Sequence, residues 1–499
     1  MAAVVASVFA ESREQVVSSG RRAAMAGADW LELRLDRWQR AQDLAAAIGA
    51  VRLPVLVACR TPEDGGGFRG TLGERRELLS AALDAGAVGL DLEHWESWSP
   101  PSGRTRLRLR IRSFHSFTGV PKELPAIRDK LHAQAGTVAK LAVTAHDLAD
   151  AAPVLELLRT TDQVQQPTVA FAMGRTAWPT RVLAACADAP LVYGSLGDGD
   201  DTAPGQPPVA LLAGLFRCGS LGAATAVHGL LGNPALHSLG PWLHNRAFRR
   251  LGYDGVYLPF ETSRPDAVLA MLQSGRLRGL SVTAPHKGAL TNLCSRLDDD
   301  AAATGAVNTI TFDGAGAMVG HNTDVAGVLA ALQGAAVPEG GGRRAAVLGT
   351  GGAARAGAIA LQRLGYQITL LGRSPDAARE FAAARGVQLA SLSERVLGEI
   401  RPAVVVQATP VGGAGRDPEE RLLSGWRPAT GTTVLDMVYQ PQWTRFLRDA
   451  AAAGATAVSG VEMFLAQAAA QVRLFTGRDV PAATLRQFLA GAVTSSGSG

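Results

Sequence analysis

No stretch of about 18 or more apolar residues occurs in this 499-residue chain, so no membrane-spanning helix is expected. Cysteine is scarce. The four that exist, Cys59, Cys186, Cys218 and Cys294, are scattered without the spacing of a disulfide framework or a metal site, which fits a reducing cytoplasm and no bound metal. The opening MAAVVASVFAESREQ lacks a basic leader and soon turns acidic, so it reads as a first strand and not as a signal peptide. Charge of one sign is not in large excess: the net +5 is modest and suits anionic small molecules. The one dense basic run, Arg104 to Arg112, has no interleaved aromatics and no nucleic-acid motif. Its arginines alternate with Leu107, Leu109 and Ile111, so it reads as a strand with outward-facing arginines. What is present is a soluble globular composition, 47% apolar and 19% charged, long enough for two or three domains.

The first part repeats one theme, a short apolar run followed by a polar helical stretch. The runs are VVASVFA, WLELRLD, PVLVACR, VGLDLEH, RLRIRSFHSF, TVAKLAV, TVAFAMG and PLVYGSL. Eight such runs predict a small (β/α)8 barrel closed by a loop and a last helix in APGQPPVALLAGLFRCG. From TAVHGLLG the chain restarts as a second α/β unit. AAVLGTGGAARAGAIALQRLGYQITLLGR then reads as strand, Gly-rich turn, helix and strand, the opening of a dinucleotide-binding βαβ unit. GVEMFLAQAAAQVRLFTG is a late amphipathic helix, and the tail SSGSG is expected to lack structure. The expected domains are 1–220, 221–330 completed by 460–493, and 331–459 between them.

Catalytic groups of a barrel sit at the C-terminal ends of its strands. Those ends carry Glu32, Arg34 and Asp36 on one face, then Arg60, then Asp91 and Glu93, then His115, Lys140 and Arg181. Structural ion pairs near the barrel mouth are the alternative reading for the acidic residues and Arg34 taken singly. Lys140 differs, because it lies inside an apolar strand, where a lysine is costly unless paired or neutral. A buried amine is a nucleophile toward carbonyls, and His115 one strand away suits a proton shuttle. Lysine, histidine and a ring of arginines point to imine chemistry on an anionic ketone. The residues alone leave an aldolase and a dehydratase both open.

These residues stand in ELRLD (Glu32 to Asp36), CR followed by Asp64-Gly65-Gly66, SFHSF around His115, VAKLAV around Lys140, MGRTAWPTRVL with Arg181, and TAPGQ (Thr202 to Gln206). In this order they resemble the type I 3-dehydroquinate dehydratases. The resemblance implies an imine between Lys140 and the C3 ketone, with His115 as base at C2 and acid for the departing hydroxyl. It implies that Arg181, Gln206 and Thr202 hold the substrate carboxylate, and that Glu32, Arg34 and Arg60 orient hydroxyls and the imine. The chain departs from the family at Asp64 (usually Glu), Ser116 (usually Asp) and Thr202 (usually Ser).

In the second part, Gly349, Gly351, Gly352 and Ala353 follow a strand and open a helix, where backbone amides can meet a pyrophosphate. The next strand ends in Arg373 and Ser374, where NAD enzymes commonly carry an acid; an arginine there suits the 2′-phosphate of NADP. Arg355 is a further candidate for the phosphates. SVTAPHK, GAVNT, HNTD, GLLGNPALHSLGPWLHN and GVEMFLAQ together resemble shikimate dehydrogenase. That resemblance implies NADPH-dependent reduction of 3-dehydroshikimate to shikimate, with Lys287 and Asp324 stabilising and protonating the alkoxide. It implies substrate contacts from Ser238, Thr283, Asn308, Asn322, Tyr439 and Gln467. Departures are Gly240 for a second serine and Gln407 for asparagine. The expected protein is thus an α/β bifunctional enzyme of the cytoplasm, with small-molecule substrates, NADP as cofactor, no nucleic-acid or membrane partner, and room for a homodimer. A catabolic quinate or shikimate dehydrogenase using NAD is the alternative, and Arg373 speaks against it.

Overall fold

The computed structural model describes every residue except 39–42, 101–106, 134–135, 198, 200–201, 204, 274, 414 and 496–499. Part of the basic run and almost all of the SSGSG tail thus lie outside the described residues. The chain separates into two compact units. One is Met1–Val227 with Asp254–Leu277, and the other is His228–Tyr253 with Arg278 onward.

The first unit opens with eight strands: β1 (Ala3–Phe9), β2 (Trp30–Arg34), β3 (Val55–Ala58), β4 (Gly89–Glu93), β5 (Leu109–Ser116), β6 (Val138–Thr144), β7 (Thr168–Met173) and β8 (Leu191–Gly194). They pair in parallel in the order β7-β6-β5-β4-β3-β2-β1-β8. β7 and β8 end the ladder, and Phe171 and Tyr193 meet across it with ring centroids 6.3 Å apart, so the barrel is nearly closed. Both faces of such strands are covered, which is why the apolar runs are almost continuous. On β6 the outer face (Ala139, Leu141, Val143) packs on Val154, Leu157 and Leu158 of helix Ala152–Thr160. The inner face carries Val138, Lys140 and Ala142; its apolar members join Val5, Leu56, Ile111, Phe171 and Tyr193 in the barrel interior. One expectation needs correction. Arg112 does not face outward to solvent: it is buried and donates to the backbone carbonyls of Glu93 and Glu96. The segment after β4 covers that end of the strand, while Arg110 further back stays exposed.

A six-stranded sheet follows: β9 (Ala226–Gly232), β10 (Gly255–Glu261), β11 (Leu277–Val282), β12 (Arg296–Leu297), β13 (Thr309–Phe312) and β14 (Met318–His321), in the order β10-β9-β11-β13-β14-β12. The last sheet is parallel throughout: β15 (Arg344–Leu348), β16 (Gln367–Gly372), β17 (Gln388–Ser391), β18 (Val404–Gln407), β19 (Thr433–Asp436) and β20 (Thr456–Val458), in the order β17-β16-β15-β18-β19-β20. The order reverses at β15, and ligands of such sheets bind at that switch point beyond the strand C-termini. Helix Gly460–Thr476 then leaves this sheet and buries Val461, Phe464, Leu465, Ala468 and Val472 against Leu243 and Ala247 of helix Gly240–Leu251. It also crosses helix Thr323–Gly334 closely: a Cβ added at Gly327 would lie 2.9 Å from the Met463 carbonyl oxygen. No helix among the described residues is long and apolar enough to cross a membrane.

The core of the second unit contains two histidines. His228 lies among Phe248, Tyr253 and Phe475, and His244 adjoins Phe248 and Phe475. Burial holds His228 down at about 3 and His244 at about 4, against an ordinary 6.5. Below about 6.5 the unfolded chain therefore binds protons that the native core refuses, so stability falls as pH drops from about 6.5 toward 3. The melting temperature of the second unit in His228→Gln is expected to fall less steeply between pH 6 and 4 than in the unmodified chain. Equal slopes would place the acid sensitivity elsewhere.

Candidate active sites

The inward parity of β2, β4, β5 and β6 delivers charged groups to the barrel mouth. Lys140 is buried, its Nζ 3.0 Å from Asp91 Oδ2, 3.3 Å from Glu32 Oε1 and 3.8 Å from the centroid of the Tyr193 ring. Arg60 donates to the same Asp91 oxygen at 2.7 Å. Burial raises the Asp91 carboxyl, but Lys140 and Arg60 outweigh it and hold the group below its ordinary range. Arg60 Nη1 also lies 2.8 Å from Nε2 and 3.0 Å from Nδ1 of His115. Since a guanidinium can only donate, the imidazole nitrogen facing it accepts. Burial, with the positive charges of Arg60, Lys140 and Arg34, holds His115 well below its ordinary pKa, so it is a neutral base near pH 7. Arg34 is fixed by a two-pronged ion pair with Asp36, at 2.9 and 3.0 Å. Asp64 accepts from the Trp95 indole at 2.8 Å.

The other end of this cavity, about 100 Å³ in volume, is built differently. Arg181 reaches it from helix Pro179–Cys186, buried, with its guanidinium 3.8 Å above the Phe171 ring. Nη1 donates to the Tyr193 carbonyl at 3.4 Å, but Nε and Nη2 have no partner among the described residues, and neither has the Tyr193 hydroxyl. Burial lowers the Arg181 guanidinium to about 9. A buried cation with two open donors is costly unless an anion completes it. Gln206 stands on the same cavity, and the Thr202 hydroxyl lies 3.0 Å from its Oε1 and 2.8 Å from Ser7 Oγ.

In the second unit Lys287, after β11, forms an ion pair with Asp324 in the first turn of helix Thr323–Gly334. Asn308 holds Asp324 in place, donating to its Oδ1 at 2.7 Å and to Thr323 Oγ1 at 2.9 Å. Gln467 accepts from Thr323 at 3.4 Å, and Tyr439, stacked on Phe464, meets Ser238 at 3.4 Å. Thr283 is half-buried at the end of β11, beside Gly232.

The Gly-rich turn lies next to this pair. A Cβ added at Gly352 would come 3.6 Å from Lys287 Cδ and 2.9 Å from the Ala306 Cβ. Gly349 has φ +126°, a conformation that favours glycine, and Gly351 borders open space. Helix Gly352–Arg363, with Ala353 in its first turn, starts without a side-chain cap, so its leading amides are available to an anion. Arg373 and Ser374 are exposed just beyond β16. Open amides on a glycine turn with a guanidinium at the neighbouring strand end fit a dinucleotide carrying a 2′-phosphate.

Known protein families match both halves of the chain. Residues 4–220 match the type I 3-dehydroquinases, residues 230–310 the shikimate dehydrogenase substrate-binding domain, and residues 460–487 the shikimate 5′-dehydrogenase C-terminal domain. The bifunctional 3-dehydroquinate dehydratase/shikimate dehydrogenase of Arabidopsis thaliana, a chloroplastic protein, is 31% identical over 501 residues, spanning 96% of this chain and 82% of its own. The chain belongs to this bifunctional family. An NADP(+) shikimate dehydrogenase of Halobacterium salinarum is 43% identical over 265 residues, 53% of this chain and 98% of its own. The solved dehydroquinate dehydratase and shikimate dehydrogenase of S. pombe AroM covers 98% of both chains at 25% identity, with a TM-score of 0.43.

Within the bifunctional enzyme most expected residues converge, but three, Asn322, Arg355 and Asn308, bond within the fold. Asn322 caps helix Thr323–Gly334 and gives both its amide hydrogens to Thr304 and the Ala306 carbonyl, so it has no donor left for substrate. Arg355 donates to the backbone carbonyls of Ala377 and Thr304, at 3.1 and 3.5 Å, and bridges those segments instead of facing the Gly-rich turn. Asn308 likewise spends its amide on Asp324 and Thr323. Gln407 spans its turn, accepting from the Thr409 amide and donating to the Val411 carbonyl. The sequence did not single out Ser7 or Tyr193 in the dehydratase half, and it offered Asp91 without a role. Nor did it single out Gln471, which joins Ser281 to Thr309 behind the dehydrogenase site. Gln471 falls one helical turn after Gln467, a signal that was there to use. Gly349→Ala is expected to weaken NADPH binding roughly tenfold or more through backbone strain, read by fluorescence titration. Unchanged affinity would mean that the turn does not hold the pyrophosphate.

Proposed function

We propose that dehydration runs on Lys140 and His115, and reduction on Lys287 and Asp324, in one bifunctional enzyme of the shikimate pathway. The enzyme dehydrates 3-dehydroquinate to 3-dehydroshikimate and reduces that product to shikimate with NADPH. The observation that carries the residue assignment is a buried lysine within reach of two carboxylates and beside a neutral histidine, with the open donors of Arg181 on the same cavity. We assign 1–220 to the dehydratase, 221–330 with 460–493 to the dehydrogenase substrate domain, and 331–459 to the NADP domain.

Lys140 must shed a proton before attacking the C3 ketone, and Glu32 and Asp91 are within hydrogen-bond reach to take it. Loss of water then gives an imine, whose positive nitrogen acidifies the C2 hydrogen. His115 removes that proton and returns it to the departing hydroxyl, which leaves as water. Water finally cleaves the imine and frees Lys140. Arg181 and Gln206 hold the carboxylate throughout, and Glu32, Arg34 and Arg60 orient the rest. In the second site the Gly349–Gly352 turn and Arg373 would hold NADPH, which would supply the hydride for the C3 ketone. Lys287 donates a hydrogen bond to the oxygen as its charge grows, and the Lys287–Asp324 pair delivers the proton. Asn308 keeps Asp324 aimed, while Ser238, Thr283, Tyr439 and Gln467 receive the substrate's polar groups.

Borohydride with substrate or product is expected to fix ligand mass on Lys140. The only other lysines of the first half are Lys122 and Lys130, so a digest resolves the site. Lys140→Ala should lose labelling and dehydration but keep reduction of dehydroshikimate; label on either other lysine would refute the assignment.

Arg373→Ala is expected to weaken NADPH binding by roughly ten- to a hundredfold while NADH changes little, because paired charge-assisted bonds to the 2′-phosphate are lost. Equal losses for both cofactors would place the phosphate elsewhere.

A further inference from the structure

The first compact unit holds more than the barrel, since Asp254–Leu277 belongs to it. This segment contains β10 and helix Pro265–Gln273, and the turn between them, Glu261–Arg264, bonds to two loops at the barrel mouth. The loop after β6, the strand of Lys140, offers Asp147 and Asp150. Asp147 accepts from the Thr262 hydroxyl at 2.6 Å and from the amide and hydroxyl of Ser263 at 3.0 Å each. Arg264 donates to Asp150 at 2.5 Å. The loop after β7 offers Arg175, which forms an ion pair with the buried carboxylate of Glu261.

What these loops do next matters more than the bonds themselves. Gly174, beside Arg175, has φ +117°, and a Cβ there would lie 2.4 Å from the Ala145 carbonyl oxygen, so the loops after β6 and β7 touch. A Cβ at Gly205 would lie 2.8 Å from the Gly174 oxygen, so the loop bearing Gln206 rests on the same point. Arg175 also leads into helix Pro179–Cys186, which carries Arg181. Three loops stack at Gly174; Thr262, Ser263 and Arg264 hold the loop after β6 from outside the barrel, and Glu261 holds Arg175 beside Gly174 itself.

We propose that Glu261, acting through Arg175, is a positioning residue for the carboxylate end of the dehydratase site. It sets how Gln206 and Arg181 meet the substrate. A residue that follows the barrel in sequence thereby tunes the first reaction. This rests on the assignment of Arg181 and Gln206 to the substrate carboxylate. That group is remote from C2 and C3 and is held about equally in ground and transition states, so its loosening raises KM and leaves kcat nearly alone.

The test uses the full chain. Glu261→Gln is expected to raise the KM for dehydroquinate roughly three- to tenfold, the range of a lost ion pair with one buried partner, and to leave kcat within about twofold. Shikimate oxidation in the same preparation should keep its kcat and KM, which shows that the chain has folded. The charge-exchanged double variant Arg175→Glu with Glu261→Arg should recover part of the loss seen in each single variant. An unchanged KM in Glu261→Gln, a parallel fall of both activities, or no recovery in the double variant would overturn the proposal. Arg181→Ala separates the two levels, because the proposal rests on Arg181 holding the carboxylate. If it raises the KM for dehydroquinate while Glu261→Gln changes nothing, only the role of Glu261 fails. If it leaves that KM unchanged, the assignment of Arg181 to the carboxylate itself fails.

Discussion

The dehydratase half depends on keeping buried charges paired inside a closed sheet. Lys140 projects to the barrel interior because its position on β6 has the same parity as Val138 and Ala142. Its ammonium is tolerable there because Glu32 and Asp91 stand beside it, and Asp91 stays ionised because Arg60 shares it. Burial, together with the Arg60 guanidinium that faces it, keeps the His115 ring neutral. Removing Asp91 takes a carboxylate from both Lys140 and Arg60. The same network makes the barrel mouth energetically acceptable, while Lys140 must still give up a proton before it can react.

Pairing is complete around Lys140 and incomplete around Arg181. Two donors of Arg181 and the Tyr193 hydroxyl are buried without partners among the described residues. Such groups destabilise the ligand-free protein and favour whatever anion enters. The dehydrogenase half shows the same division. Asn308, Thr323 and Asp324 satisfy one another, while the leading amides of helix Gly352–Arg363 are left without a side-chain cap beside an exposed Arg373. In both halves the filled bonds hold catalytic groups still, and the unfilled ones mark where ligand is received.

Strand and helix periodicity made much of this readable beforehand. The eight apolar runs are the eight barrel strands, and Glu32, Arg34, Arg60, His115, Lys140 and Arg181 line one cavity. The chain's lysines are only Lys122, Lys130, Lys140 and Lys287, which makes the two assigned to chemistry stand out in hindsight. The misreadings were of partners, not of elements. Asn322 and Asn308 look in sequence like substrate ligands, yet their amides satisfy a helix end and Asp324. Arg355 follows the glycines closely, but its reach brings it to two carbonyls distant in sequence. Arg112 has the parity of an outward residue, but the segment after β4 covers it.

The sequence by itself determined the elements, their order, the two functional halves and the residue types available at each strand end, because these follow from local periodicity and from motifs that stand in order. Tertiary structure decided which side chain completes which. Arg60 between Asp91 and His115, Gly174 under Gly205, and Glu261 on Arg175 join residues tens of positions apart. A hydrogen bond depends on ångström distances between groups whose separation along the chain carries no such information, so only the closed barrel and the packed sheets could fix them.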